Sequence, residues 1–279
     1  MKNYLFVGGD ERQAFAAEYI KSYGNKTAFA YTYEELKKQI SQADIIVLPL
    51  PLTRDGKHVN SAPENGLITL EELLFLLKEG MTVTGGMIDK EITHAIQSKG
   101  VTLYDYYKSE ELAILNSVST AEGVIYELIG NSKINLQGSK TLVTGYGKAA
   151  SAVCRLLYSF GSEVVVAARS DRDLATAKSH NCKAIPLYSI HNHKCDFDFV
   201  VNTVPAPVID EKIISKLKKD CFILEIASAP YGTDFVAAEK YGIRVRKAPS
   251  LPGRISPKSA GEVIAQTILN IGKGTVSLK

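Results

Sequence analysis

A chain of 279 residues is longer than one ordinary domain, so two domains are the leading expectation. With 45% apolar and 23% charged residues it has the balance of a globular protein, which excludes a disordered or fibrous chain. A net charge of +3 gives no electrostatic basis for a nucleic-acid or membrane-surface partner, since that binding needs clustered Lys and Arg.

Short apolar runs alternate with helical patterns from end to end, the sign of parallel sheets covered by helices. The expected fold class is α/β, with two Rossmann-like, doubly wound parallel-sheet domains joined by a long linker helix. In the first half the strands read as Tyr4 to Val7, Thr27 to Tyr31, Asp44 to Leu50, Met81 to Thr84 and Val101 to Tyr104. Leu70, Leu73, Leu74 and Leu77 mark one face of a helix between them. The longest apolar run, Ile45 to Leu52, is too short to cross a bilayer. The start of the chain, from Lys2 to Asp10, lacks a signal-peptide pattern, so a cytoplasmic protein is expected.

The stretch from Glu110 to Ile129 reads as the linker helix, with a break expected near Asn116 to Thr120. The polar segment Gly130 to Gly138 follows and sets the domains at 1–131, for substrate and catalysis, and 132–279, for the nucleotide. Strands resume at Thr141 to Thr144, Val164 to Ala168, Phe199 to Asn202, Phe222 to Ile226 and Ile243 to Arg246. A last helix, Ser259 to Ile271, lies between Pro257 and Gly272, and its place in the chain lets it return to the first domain. Cys154, Cys182, Cys195 and Cys221 are widely spaced, so reduced thiols are expected. His191, His193 and Cys195 fit no zinc spacing, and no metal is expected.

The strand ending at Thr144 runs into Gly145-Tyr146-Gly147-Lys148-Ala149-Ala150 and then a helix. Gly145 permits the tight turn, Gly147 lets backbone approach a pyrophosphate, and Ala150 is small enough for close helix–strand packing. The next strand ends in Ala167-Ala168-Arg169-Ser170-Asp171-Arg172. NAD-selecting enzymes place an acid at this strand end; here Arg169, Ser170 and Arg172 offer a fork, a hydroxyl and a charge to a 2′-phosphate, so the expected cofactor is NADP(H). Either arginine could instead lie on a solvated helix start, where Asp171 reads as the N-cap. Asn202-Thr203-Val204-Pro205 and Ala227-Ser228 end further strands, where ligands of open sheets bind; these loops can flank the nicotinamide and its ribose, and a purely structural turn is the alternative for either.

With these residues in view, the sequence resembles the dipicolinate synthase A-subunit family. The carriers are Gly8-Gly9-Asp10-Glu11-Arg12-Gln13, Asn116-Ser117, Thr120-Ala121-Glu122-Gly123, Ala168-Arg169-Ser170 and Asn202-Thr203-Val204-Pro205. Gly232-Thr233-Asp234-Phe235, Leu251-Pro252-Gly253 and Pro257-Lys258-Ser259-Ala260-Gly261 complete the set. Ala150 stands where a third glycine is usual, and Arg254 where an apolar residue is common. The resemblance implies a substrate-binding first domain, NADP in the second, and a partner in the form of a flavoprotein-like B subunit. It also implies oxidation of a branch-point compound of lysine synthesis to dipicolinate for spore formation. A homo-oligomer is compatible with it.

A dicarboxylate substrate needs cations and hydroxyl donors, and Asp10, Arg12, Ser119, Thr120, Arg254 and Lys258 could converge on an interdomain cleft to supply them. Arg12 could equally pair with Asp10 or Glu11 and hold the first loop, and Lys258 could be an ordinary helix-start lysine. Glu122 is the candidate proton acceptor beside Arg12 as the candidate catalytic pair, with a helix cap as its alternative role. Two other functions stay open. One is a 2-hydroxy-acid or shikimate-type dehydrogenase, for which no motif-borne His–acid or Lys–Asp pair is visible; the other is a non-catalytic NADP-binding regulatory subunit.

Overall fold

A computed structural model describes residues 1–62 and 67–272. The chain divides into two compact units: Met1–Asn116 with the described residues from Ser256 onward, and Ser117–Ile255. In the first, β1 (Asn3–Val7), α1 (Glu11–Ser22), β2 (Lys26–Ala30), α2 (Tyr33–Gln39), β3 (Ile45–Val47), α3 (Leu70–Leu76), β4 (Thr82–Gly85), α4 (Lys90–Gln97) and β5 (Thr102–Asp105) follow in turn. The strands pair in parallel in the order β2-β1-β3-β4-β5, one of the two common doubly wound orders. Helices cover both faces, which is why β1 is apolar and buried from Tyr4 to Val7. Leu5 and Val7 enter one core with Leu36, Leu73 and Ile96, while Tyr4 and Phe6 enter another with Ala16 and Ile20.

The chain continues through α5 (Glu110–Asn131), β6 (Lys140–Thr144), α6 (Lys148–Ser159), β7 (Glu163–Ala168), α7 (Asp171–Ser179), β8 (Lys183–Pro186), β9 (Phe199–Asn202), α8 (Glu211–Ile214), β10 (Phe222–Glu225), α9 (Phe235–Tyr241), β11 (Arg244–Lys247), α10 (Leu251–Ile255) and α11 (Pro257–Gly272). The second sheet is wholly parallel in the order β11-β10-β9-β6-β7-β8, the Rossmann order of two mononucleotide-binding halves. Val143, Val164 and Val166 pack on one face with Val153 and Leu157, and Leu142, Val165 and Ala167 pack on the other with Ile213 and Ala237. The α/β class with two Rossmann-like sheets is as the sequence implies.

The details differ in two places, while the last helix returns to the first unit as its place in the chain allows. α5 is continuous: the expected break at 116–120 is absent, because Ser117 and Ser119 are buried along the helix instead of ending it. The units divide inside α5, after Asn116, and not at 131, since Leu112 belongs to the first core and Ala121, Val124 and Leu128 to the second. α11 lies in the first unit against α1, and Gly261 makes this approach possible, because a Cβ there would collide with the carbonyl oxygen of Arg12. By length and composition α5 could cross a membrane, but half of its most apolar stretch is buried in the protein.

Candidate nucleotide-binding site

Open sheets bind ligands at the carboxyl ends of their strands, where the order reverses, which here is between β6 and β9. A cleft of about 600 Å³ opens there, lined by Gly145, Tyr146, Gly147, Ala167, Ala168, Arg169, Ser170, Asp173, Leu187, Thr203, Val204 and Pro205. A smaller hollow of about 310 Å³ at the amino end of β1 and β2 is on the wrong strand ends for such a site.

Gly145 has φ 81°, and a Cβ on it would stand 2.8 Å from Thr203 Oγ1, so both conformation and space demand glycine. Gly147 is the N-cap of α6 and has no side-chain acceptor for the first-turn N–H groups; a Cβ there would meet nothing within 4 Å. An uncapped helix N-terminus facing open space is an anion seat. Lys148, Ala149 and Ala150 form the first turn of α6, and Ala150 is buried in the core as its size allows. The fold therefore fits a dinucleotide, with its phosphates against the start of α6.

Tyr146 lines the cleft, and its phenol reaches to within 2.9 Å of His180 Nδ1. Burial, aided by the nearby Cys154 and Cys182 thiols, pushes its pKa up to about 12. Arg169 and Ser170 lie in the cleft, whereas Arg172 does not line it. The N-cap of α7 is Ser170, which accepts from the Asp173 N–H at 3.1 Å; Asp171, expected in that role, is the first helical residue. Asp173 and Leu187 also line the cleft, and no motif in the sequence marks them. Asn202 stands behind the wall that Thr203, Val204 and Pro205 form, and Ala227 is buried while Ser228 is exposed.

The substrate candidates divide between the two units. In the first unit Asp10 is the N-cap of α1 and forks Arg12, with Nε at 3.0 Å from Oδ1 and Nη2 at 2.7 Å from Oδ2. Arg12 Nη2 also donates to the Leu50 carbonyl, and the side chain is buried, so the guanidinium holds the first loop. Lys258 is exposed in the first turn of α11. In the second unit Ser119 is buried, Thr120 is half-buried and Glu122 is exposed in the middle of α5, where it caps nothing. Arg254 pairs at 2.9 Å with Glu127, a buried carboxylate that also takes Arg246 at 2.7 Å. That pairing explains a charge at position 254.

Two doubly wound parallel sheets, one with an open glycine turn and cleft, define a two-unit Rossmann-type α/β chain. A transhydrogenase from Sinorhizobium meliloti shares this fold, at 15% identity and a TM-score of 0.71 over 99% of this chain and 95% of that one. The particular likeness is to the A subunit of dipicolinate synthase. Residues 3–107 match the family model of the N-terminal domain of the dipicolinate synthase A subunit. The dipicolinate synthase A subunit of Bacillus subtilis is 29% identical over 228 residues, covering 81% of this chain and 77% of that one. The crystal structure of the dipicolinate synthase A subunit from Bacillus halodurans is 26% identical, with a TM-score of 0.86 and 97% of each chain covered. The resemblance carried by the sequence motifs is borne out.

Proposed function

We propose that this chain acts as an NADP-dependent dipicolinate synthase A subunit in the cytoplasm, oxidising dihydrodipicolinate, formed from 4-hydroxy-tetrahydrodipicolinate, to dipicolinate together with a B subunit. The observation that carries the reading is the open carboxyl edge of the second sheet, where Gly145, Gly147, Arg169 and Ser170 border one cleft. When bound, the nicotinamide accepts a hydride from the ring carbon, and a proton leaves as the pyridine becomes aromatic. The chain contributes position: α6 receives the phosphates, and Thr203-Val204-Pro205 wall the cleft.

Arg169 and Ser170 are the donors for a 2′-phosphate, and among the described residues Asp173 is the acid in the cleft wall opposing it. All three lie at the start of α7, so their balance sets cofactor choice. Freshly generated 4-hydroxy-tetrahydrodipicolinate with NADP, with and without the B subunit, tests the function by the absorbance of the pyridine product. Pyridine formation coupled to NADPH formation supports the reading. NADP binding without turnover in the presence of the B subunit leaves a regulatory subunit in its place.

A further inference from the structure

Glu225 ends the otherwise apolar strand β10 and is 1% exposed, yet among the described residues no lysine or arginine pairs with it. Its carboxylate is satisfied by donors from two loops. Oε1 accepts from Asn202 Nδ2 at 2.7 Å and from the Ala227 N–H at 3.0 Å. Oε2 accepts from the N–H groups of Gly232 at 3.1 Å and Thr233 at 3.0 Å, from Thr233 Oγ1 at 2.8 Å, and from Asn202 Nδ2 at 2.8 Å. A buried carboxylate without this set would carry a large desolvation cost, so the loops and the acid depend on one another.

The network reaches the cleft through Asn202. Its Oδ1 accepts from Thr144 Oγ1 and, at 3.2 Å, from the Val204 N–H, while Nδ2 also donates to the Val204 carbonyl at 3.0 Å. The amide cannot be reversed, because its oxygen would then face the carboxylate and its NH2 the Val204 N–H. Thr203 Oγ1 in turn donates to the Thr144 carbonyl at 2.7 Å, next to the Gly145 turn. Gly232 is pressed against the same loop, where a Cβ would collide with the Val204 carbonyl oxygen.

We propose that Glu225 is a positioning residue that, acting through Asn202, fixes the Thr203-Val204-Pro205 wall on the side of the cleft away from Arg169, where the nicotinamide half of the cofactor is received. The inference rests on the NADP reading of this cleft. The adenine half, served by Arg169 and Ser170, is independent of Glu225, and this independence gives the test.

Titrate wild type, Glu225→Gln and Thr233→Val with NADPH and with adenosine 2′,5′-bisphosphate, and follow amide hydrogen exchange without ligand. Glu225→Gln replaces an acceptor oxygen with an NH2 that opposes backbone donors. The expected result is faster exchange at Ala227, Gly232 and Thr233, about tenfold weaker NADPH binding, and bisphosphate affinity changed less than about twofold. Thr233→Val, which removes one donor and leaves the acid, should show the same pattern more weakly and keeps the test valid if Glu225→Gln does not fold. Equal loss of both ligands, or looser loops with unchanged NADPH affinity, overturns the proposal. A wild type that binds neither ligand removes the nucleotide reading and the proposal with it, an outcome distinct from a defect confined to the variants.

Discussion

The two units carry the same device, a glycine turn between the first strand and first helix of a parallel sheet, and use it in opposite ways. In the first unit Gly8 and Gly9 have φ 63° and 100°, and the turn is filled by the protein itself. Asp10 caps α1, Gln13 completes a capping box, and the Gly9 N–H donates to the Asn60 carbonyl at 2.8 Å. A carboxylate already occupies the place where an anion would sit. In the second unit the residue equivalent to Asp10 is Gly147, without a side chain, and the helix start faces the cleft. Topology alone therefore does not fix the use of the turn; the residue at the N-cap decides whether the helix start is capped by the chain or left open.

Gly147→Asp is the most direct way to break that contrast, because it copies Asp10 into the second unit. Gly147 has φ −72°, so an aspartate fits the backbone. It should cap α6, gaining a few tenths of a kcal/mol in stability, while NADPH affinity falls roughly a hundredfold or more through repulsion and lost N–H donors. Calorimetric titration giving wild-type affinity would show that phosphate does not sit at α6. The next effect in size is that of Arg169→Ala, which should cost about 1.5–3 kcal/mol of NADP(H) binding and much less of NAD(H) binding. Equal losses for both cofactors would assign Arg169 to the adenine ring. Asp173→Asn should shift the preference the other way, towards NADP(H).

The same contrast explains what the sequence makes legible. Parallel strands buried on both faces read as unbroken apolar runs, and Ile45 to Leu50 and Val164 to Ala168 are visible for that reason. β8 is not visible in this way, because Lys183-Ala184-Ile185-Pro186 is a half-buried edge strand closed by proline. The Gly145 turn is local, and so is the Arg169-Ser170 strand end. Glu225 and Glu127 are not local: their partners come from distant segments, and the sequence signal is only an acid within an apolar run. Several motif residues also serve packing. Gly123 lies where a Cβ would stand 2.9 Å from Leu251 Cβ, so two motifs of the family resemblance are two sides of one contact.

Arg12 tests the closed turn. Its ion pair to Asp10 and its bond to the Leu50 carbonyl hold the loop that fills the first unit's strand ends. Arg12→Ala should lower stability by about 1–3 kcal/mol in chemical denaturation, Asp10→Asn should lower it in the same direction, and NADPH titration should be unchanged. A variant of wild-type stability with a raised KM for the dicarboxylate would instead place Arg12 on the substrate.

The smallest effect is expected at Tyr146, the residue between the two glycines of the open turn. Its position in the motif suggests a ligand contact, but the residue is only 7% exposed and belongs to the core that includes Ala150 and Val153 of α6. The phenol reaches His180 Nδ1 at 2.9 Å, and burial pushes the pKa of the hydroxyl up to about 12. Tyr146→Phe keeps the ring and removes only that contact, so the cost should be about 1 kcal/mol in thermal or chemical unfolding. NADPH affinity should stay within about twofold, since Gly145 and Gly147 on either side are not altered and the phenol is engaged with His180. A tenfold loss of affinity at unchanged stability would mean that the phenol leaves His180 for the ligand, and the open turn would then have a side-chain contact that its closed counterpart lacks.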